Sequence, residues 1–282
     1  MGPGERRLKR LIVTADDFGI SLPVNEAVES AHKDGILTTT CLMVAGPAAQ
    51  DAVARAKKLP TLAVGLHIVT VCGQPALPAD DVPDLVDGSG NFDTNLVRAG
   101  IRYFFSPSAR RQLAQEIRAQ FAAFDATGLN LDHVNAHNHM HIHPTIFGMI
   151  LKIGREFGLR AIRFPWEPWA PGGDKTLGDK FLGIWLAIMK RRAEKAGIKI
   201  NDRMFGMRAS GKMDRDQWIG LLEHIPDGVS EIVCHPATRR WDEIDPAAHD
   251  YRFEAEYKAL IDPDIQSLAD RVGITFISFR EI

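Results

Sequence analysis

Leu11-Ile-Val-Thr-Ala-Asp-Asp-Phe-Gly19 begins as a run of strand-favouring residues and breaks off at two adjacent carboxylates and a glycine. A strand over 11–15 is expected, because aliphatic and β-branched side chains fit a pleated, buried surface. A helix over 24–33 follows at once, with Ser21 available as its N-cap and Pro23 suited to its first turn. The unit is strand, carboxylate pair, turn, helix. The rest of the chain repeats its order.

Residues 36–44, with three consecutive threonines, read as a strand, 48–58 as a helix and 62–69 as a strand. Beyond the Pro/Gly/Asp-rich loop 73–90, Leu113, Ile117, Phe121 and Phe124 set apolar positions at helical spacing over 109–124. Further strands are expected at 131–135, 160–164, 231–234 and 274–278, and helices over 145–157, 180–196, 214–223 and 253–271. Alternation of this kind implies a mostly parallel sheet. Seven strands read clearly and an eighth, near 203–207, is weak. The expected fold is therefore α/β, a distorted or incomplete TIM-type (β/α) barrel in one domain spanning 1–282. Residues 1–8 are expected to be flexible, and about 166–200 to form an insertion near the barrel mouth.

Composition narrows the function. The 34 basic and 36 acidic residues give a net charge of −2, so no basic field invites nucleic acid. Cys41, Cys72 and Cys234 form no CxxC pair, which argues against a disulfide framework or zinc ribbon and for a reducing compartment. The start, Met-Gly-Pro-Gly-Glu-Arg-Arg, lacks a signal-peptide pattern, and the longest apolar run, 181–189, is nine residues, far short of a bilayer span. A soluble cytoplasmic protein is expected. Its oligomeric state is not legible.

The unusual polar residues fall at strand ends. Asp16 and Asp17 close the first strand, His67 lies near the end of the third, and His137 lies just past the fourth. Arg163 is on the fifth, and His235 follows 231–234. Singly, each has an ordinary explanation: turn chemistry for the aspartates, a satisfied core histidine for His67, a local hydrogen bond for His235, a surface ion pair for Arg163. Together they converge on one mouth of a parallel barrel, where active sites are built. One carboxylate and two imidazoles leave coordination positions open, the pattern of a catalytic metal. Such an ion lowers the pKa of bound water towards ~7 and polarises a carbonyl. Asp16 is then free to act as base, Arg163 can hold it ionised, and His235 can protonate a leaving amine.

Thr14-Ala-Asp-Asp-Phe-Gly19, Gly65-Leu-His67, His133-Val-Asn-Ala-His-Asn-His-Met-His141 and Glu231-Ile-Val-Cys-His-Pro-Ala237 resemble the motifs of the YdjC-like carbohydrate deacetylases. The resemblance covers nearly the whole chain. It implies a distorted TIM-type barrel that removes N-acetyl groups from amino sugars such as chitooligosaccharides. Carried over by position, it makes Asp17, His67 and His137 the ligands of one divalent metal ion, zinc or magnesium. Asp16 becomes the base, Arg163-Phe-Pro-Trp166 the tether of that base, and His235 the acid. Of the crowded histidines, His139 and His141 are expected to orient other groups or touch substrate, as are Asn138 and Trp166. If the segment is extended, residues 137, 139 and 141 share a face.

Within the family, Gly65-Leu-His-Ile-Val69, Leu85-Val-Asp87 and Pro165-Trp-Glu-Pro168 resemble the hopanoid-biosynthesis-associated, HpnK-type members. That implies an N-acetylglucosaminyl bacteriohopanetetrol as substrate. Three alternatives stay open: a deacetylase of free chitooligosaccharides, a barrel amidohydrolase or phosphoesterase, and an inactive sugar-lipid binder. A lipid substrate also gives meaning to the helix expected over 180–196. Its apolar residues run nearly all round, and Trp185, Ile188, Lys190 and Arg191 suit a peripheral contact at the inner face of a membrane. The competing explanation is an ordinary barrel helix with its apolar face in the core.

Overall fold

β1 (Lys9–Phe18) is the spine of the molecule, with Leu11, Ile12, Val13, Ala15 and Phe18 buried on both faces, as a covered parallel strand requires. In this computed structural model the described residues are 8–168 and 177–282. Residues 1–7, expected to be flexible, and 169–176, inside the expected insertion, lie outside them.

One edge of β1 pairs with β6 (Gly228–Cys234) from Lys9 to Ala15. The other edge is shared. Lys9, Arg10 and Leu11 pair with β7 (Ile274–Phe276), and Thr14, Ala15 and Phe18 with β2 (Thr39–Leu42). The row β4-β3-β2-β1-β6-β5 is parallel throughout, with β3 at Ala63–Ile68, β4 at Leu131–Ala136 and β5 at Arg203–Phe205. The expected α/β barrel is present in distorted, curled form.

The fifth expected strand, 160–164, is reduced to two isolated bridges, Val134 with Ile162 and Ala161 with Lys199. Pro165 has no N–H to donate to a ladder. A side chain takes over instead: Phe164 N donates to Asn201 Oδ1 (2.7 Å), and Asn201 Nδ2 donates to the carbonyls of Phe164 and Arg203 (3.0 Å each). The weak eighth strand is real and forms β5.

Helices flank the sheet. α1 (Leu22–Asp34) starts at Ser21, whose side chain accepts from Val24 N. α2 (Ala49–Ala56) follows β2. α3 (Leu96–Phe105) was not expected: two arginines and a glycine interrupt its apolar pattern, yet Asn95 caps it and Ala99 and Tyr103 are buried. α4 (Pro107–Ala126) is capped by Ser106, a contact worth ~1 kcal/mol. α5 (Pro144–Gly154), α6 (Leu177–Lys195) and α7 (Arg215–His224) match expectation within a few residues. The single helix expected over 253–271 is two, α8 (Phe253–Leu260) and α9 (Pro263–Arg271). The break is Pro263, placed in a new first turn under an Asp262 cap.

α6 corrects one reading. Leu186, Met189 and Ala193 form a buried stripe, and the Trp185 indole is half-buried, its Nε1 donating to Ile142 O (2.7 Å). Trp185 therefore anchors the helix to the body of the protein and does not point outward. Ile188, Lys190 and Arg191 are exposed.

Candidate active site

Consecutive strand residues point to opposite faces, so a carboxylate pair should diverge. Here the β1–β2 register slips between Ala15 and Phe18, and Asp17 adopts a left-handed φ of 64°. That conformation is uncommon for a non-glycine residue. Ile20 N bonds back to Asp17 O, and the buried Asn25 side chain accepts from Gly19 N, so the turn is held from both sides. The kink re-aims Asp17: both aspartates line one pocket and meet different partners.

Asp16 is buried against Arg163, whose Nη1 and Nη2 donate to its two oxygens at 2.6 and 2.8 Å. The same guanidinium donates through Nε and Nη2 to Glu231 Oε1 (2.9 and 2.8 Å), and Thr14 Oγ1 donates there too (2.7 Å). Burial pushes the Asp16 carboxyl up, but Arg163 outweighs it and holds Asp16 well below the usual carboxylate range. One cation thus faces two buried carboxylates.

Asp17 Oδ1 lies 2.9 Å from His137 Nδ1 and 3.1 Å from His67 Nε2, and those nitrogens are 3.4 Å apart. Burial raises the Asp17 carboxyl, and His137 and His67 more than reverse it; the same contact raises the His137 imidazole against its own burial. Asn135 sets the orientation of His67. Asn135 Nδ2 donates to Asp16 Oδ1 (3.2 Å), so the amide oxygen faces His67 Nδ1 at 2.7 Å and accepts its proton. Nε2 is then the His67 nitrogen turned to the Asp17 carboxylate. One carboxylate oxygen and two imidazole nitrogens this close together make a donor set that fits a divalent ion.

Cys41, Asp16 and His67 make a second close group of potential ligand atoms. It suits an ion less well. Burial and the Asp16 charge push the Cys41 thiol up, so it stays protonated; Arg163 occupies both Asp16 oxygens; and His67 Nδ1 is engaged by Asn135. Cys41 Sγ, 3.1 Å from Asp16 Oδ1, is a packing and hydrogen-bonding neighbour.

The crowded histidines separate. Residues 137–142 form a tight turn in which Asn138 (φ 52°) and His139 (φ 53°) are both left-handed, so 137, 139 and 141 do not share an extended face. Asn138 and His139 line the pocket, and burial pushes the His139 imidazole down to about 3, with Arg163 adding to it. His141 is buried behind the turn and outside the pocket lining. Neither ring nitrogen has a hydrogen-bond partner among the described residues, and burial keeps it neutral. His133 packs at the other end of β4, bonded to Asp132 and stacked on Phe279. His143 is edge-on to Phe104.

His235 also reaches the pocket, its backbone N held by the buried Glu256 carboxylate and its ring beside Tyr251. Tyr251 pairs through its hydroxyl with Ser210 (2.7 Å), and with Trp241 and Asp245 it forms a rim that sequence reasoning missed. These residues come from irregular loops with no periodic signal. Asn135 and Glu231 were also missed, although Asn135 is two residues after the buried His133 and two before His137, near the end of β4. Trp166, 40% exposed, is not among the residues lining the pocket.

The pocket holds about 250 Å³. Beside it runs an apolar groove of about 730 Å³ between α3 and α6, walled by Ile101, Phe104, Met140, Leu182 and Trp185. Asn138 and His139 line both, so the groove and the pocket adjoin at that turn.

The model of the YdjC-like protein family matches residues 10–271. A carbohydrate deacetylase of Brevibacillus brevis is 41% identical over 274 residues, covering 97% of this chain and 99% of that one. One from Geobacillus stearothermophilus is 30% identical over 272 residues, covering 96% of each. Among solved structures, an Enterococcus faecalis protein described as a candidate for cellobiose-phosphate cleavage shares the fold. It has a TM-score of 0.73 at 23% identity, over 97% of this chain and 98% of that one.

Proposed function

The chain belongs to the YdjC-like family and is a carbohydrate deacetylase, and from that premise we propose that it hydrolyses the N-acetyl group of an amino sugar carried on an apolar aglycone. The observation that carries this reading is the division of labour between adjacent aspartates. Asp17 with His67 and His137 is the ligand set of one divalent ion; Asp16, clamped by Arg163, is the base.

When bound, the ion supplies an acidified water and a polarised amide carbonyl. Asp16 accepts the proton of the attacking water. Arg163 makes it a weak base but a well-placed one, fixed through both oxygens so that no reorganisation is needed. His235, at the same pocket, delivers a proton to the departing amine. Asn135 keeps His67 in the tautomer whose Nε2 lone pair faces Asp17. Tyr251 and Trp241 offer aromatic faces against which a pyranose ring packs.

The groove supports the finer assignment. A free chitooligosaccharide has hydroxyls on every ring and gains little from apolar walls. N-acetylglucosaminyl bacteriohopanetetrol, the substrate implied by the HpnK-type resemblance, sets a sugar in the pocket and a polycyclic hydrocarbon beside it. The test is mass spectrometry of that glycolipid and of diacetylchitobiose after incubation with protein loaded with zinc or magnesium, with metal stoichiometry measured in parallel. Acetyl loss chiefly from the glycolipid, at one ion per chain, is expected. Turnover of chitobiose alone removes the lipid assignment, and acetyl loss from neither removes the amino-sugar reading.

A further inference from the structure

The helices bordering the groove leave apolar side chains exposed, Val97, Phe105 and Phe181 along its lip and Ile184 and Ile188 beyond it. On α3, Val97 is 72% exposed and Phe105 74%; on α6, Phe181, Ile184 and Ile188 are 66%, 60% and 43% exposed. Residues 97, 101 and 105 repeat every four positions and form one lip of the groove, and 181, 184 and 188, at three and four, run from the other lip along α6, so each helix carries an exposed apolar stripe. α6 already buries a stripe in the core through Leu186, Met189 and Ala193. A helix at the edge of a water-soluble domain needs one such stripe, and a second calls for another apolar phase.

Charge points to which phase. From Phe181 to Arg192 the chain has no acidic residue, and α3 has none. Lys190, Arg191 and Lys195 are exposed without an ion-pair partner among the described residues, whereas Arg192 lies over the Phe147 ring. Apolar side chains bordered by free cations match acyl chains beneath anionic headgroups. The stripes are also continuous with the groove, and through Asn138 and His139 with the catalytic pocket.

We propose that the exposed apolar stripes of α3 and α6, which form the lips of the groove, dock the protein on an anionic bilayer, with the groove between them leading from lipid to the pocket. The groove's use as a path rests on the amphiphilic-substrate reading; the docking does not. Co-sedimentation with vesicles of phosphatidylcholine plus phosphatidylglycerol, and of phosphatidylcholine alone, tests it on the full chain. Wild type should bind the anionic vesicles more tightly. Ile184→Ser with Ile188→Ser, and separately Lys190→Glu with Arg191→Glu, should each weaken that binding about tenfold or more. Both double variants should keep the wild-type melting temperature and its turnover of any soluble amino sugar. Equal sedimentation of wild type and both variants would overturn the proposal. So would a wild-type dimer in solution that the serine variant dissolves, because the face would then be a self-interface. Glycolipid turnover in detergent without vesicle binding would overturn the docking and leave the substrate reading intact, and vesicle binding without glycolipid turnover would do the reverse.

Discussion

Arg163→Lys keeps the charge at the centre of the site and removes its shape. The guanidinium is fully buried and makes four hydrogen bonds, two to Asp16 and two to Glu231, between 2.6 and 2.9 Å. An ammonium on a shorter reach has three tetrahedral donors and cannot present a planar fork to two carboxylates at once. If two of the four contacts are lost, each being charge-assisted and worth ~1.5–3 kcal/mol, the direct loss is about 3–6 kcal/mol. Partial re-pairing brings the expected destabilisation to about 2–4 kcal/mol. At about 2–4 °C per kcal/mol for a chain of this size, the melting temperature should fall by roughly 5–15 °C. Turnover should fall further than folding explains, about a hundredfold, because the base is no longer held through both oxygens. Calorimetry on the metal-free protein and single-turnover kinetics on the loaded enzyme measure the two effects separately. A melting temperature and rate both within error of wild type would refute the argument that geometry, beyond charge, matters here.

Asp16→Asn should retain the metal and lose about 10²–10⁴ in turnover, whereas Asp17→Ala, His67→Ala and His137→Ala should lose the metal, read by elemental analysis after desalting. Normal metal content in the Asp17 variant would reassign the site. Asn135→Leu frees the His67 tautomer and should weaken metal affinity about 10–100-fold in a competition titration; unchanged affinity would remove its positioning role. The depressed Asp16 carboxyl contributes stability that is fully present above its unfolded pKa of about 3.9 and is lost as pH falls towards the lower folded value. Arg163→Lys raises that folded value, so its acid-unfolding midpoint, followed by circular dichroism, should move to higher pH. Gly65→Ala would place a Cβ 2.5 Å from the His133 ring and 2.7 Å from the His133 carbonyl oxygen, and should cost at least ~1–3 kcal/mol by denaturant titration.

What could be read from the sequence was whatever has a short-range signature. β1, α1 and the carboxylate pair follow from propensity, a capping serine and a proline within fourteen residues. The convergence of Asp16, Asp17, His67, His137, Arg163 and His235 follows from one rule about parallel strand ends. The Glu231 ion pair was not legible, because a glutamate inside a buried strand declares its partner only when segments 68 residues apart are brought together. The turn at Asn138 and His139 was missed because two successive left-handed residues other than glycine run against propensity. α3 hid behind a broken apolar pattern, and the loop residues Ser210, Trp241 and Tyr251 have no periodicity to find.

Asn201 joins the ends of the curled sheet with one amide, where isolated bridges replace a continuous ladder. β1 and β6 pair over seven residues, while 161–164 is held by backbone bonds to Val134 and Lys199 and by that side chain. Local opening should therefore begin there, and amide protons of 161–164 should exchange with solvent well before those of β1. Arg163 lies on this segment. Opening there would carry the counter-ion off Asp16 and leave two uncompensated carboxylates inside the barrel. Those charges act as a restoring force that pulls the guanidinium back, so the clamp on the base also serves as the latch that shuts the barrel.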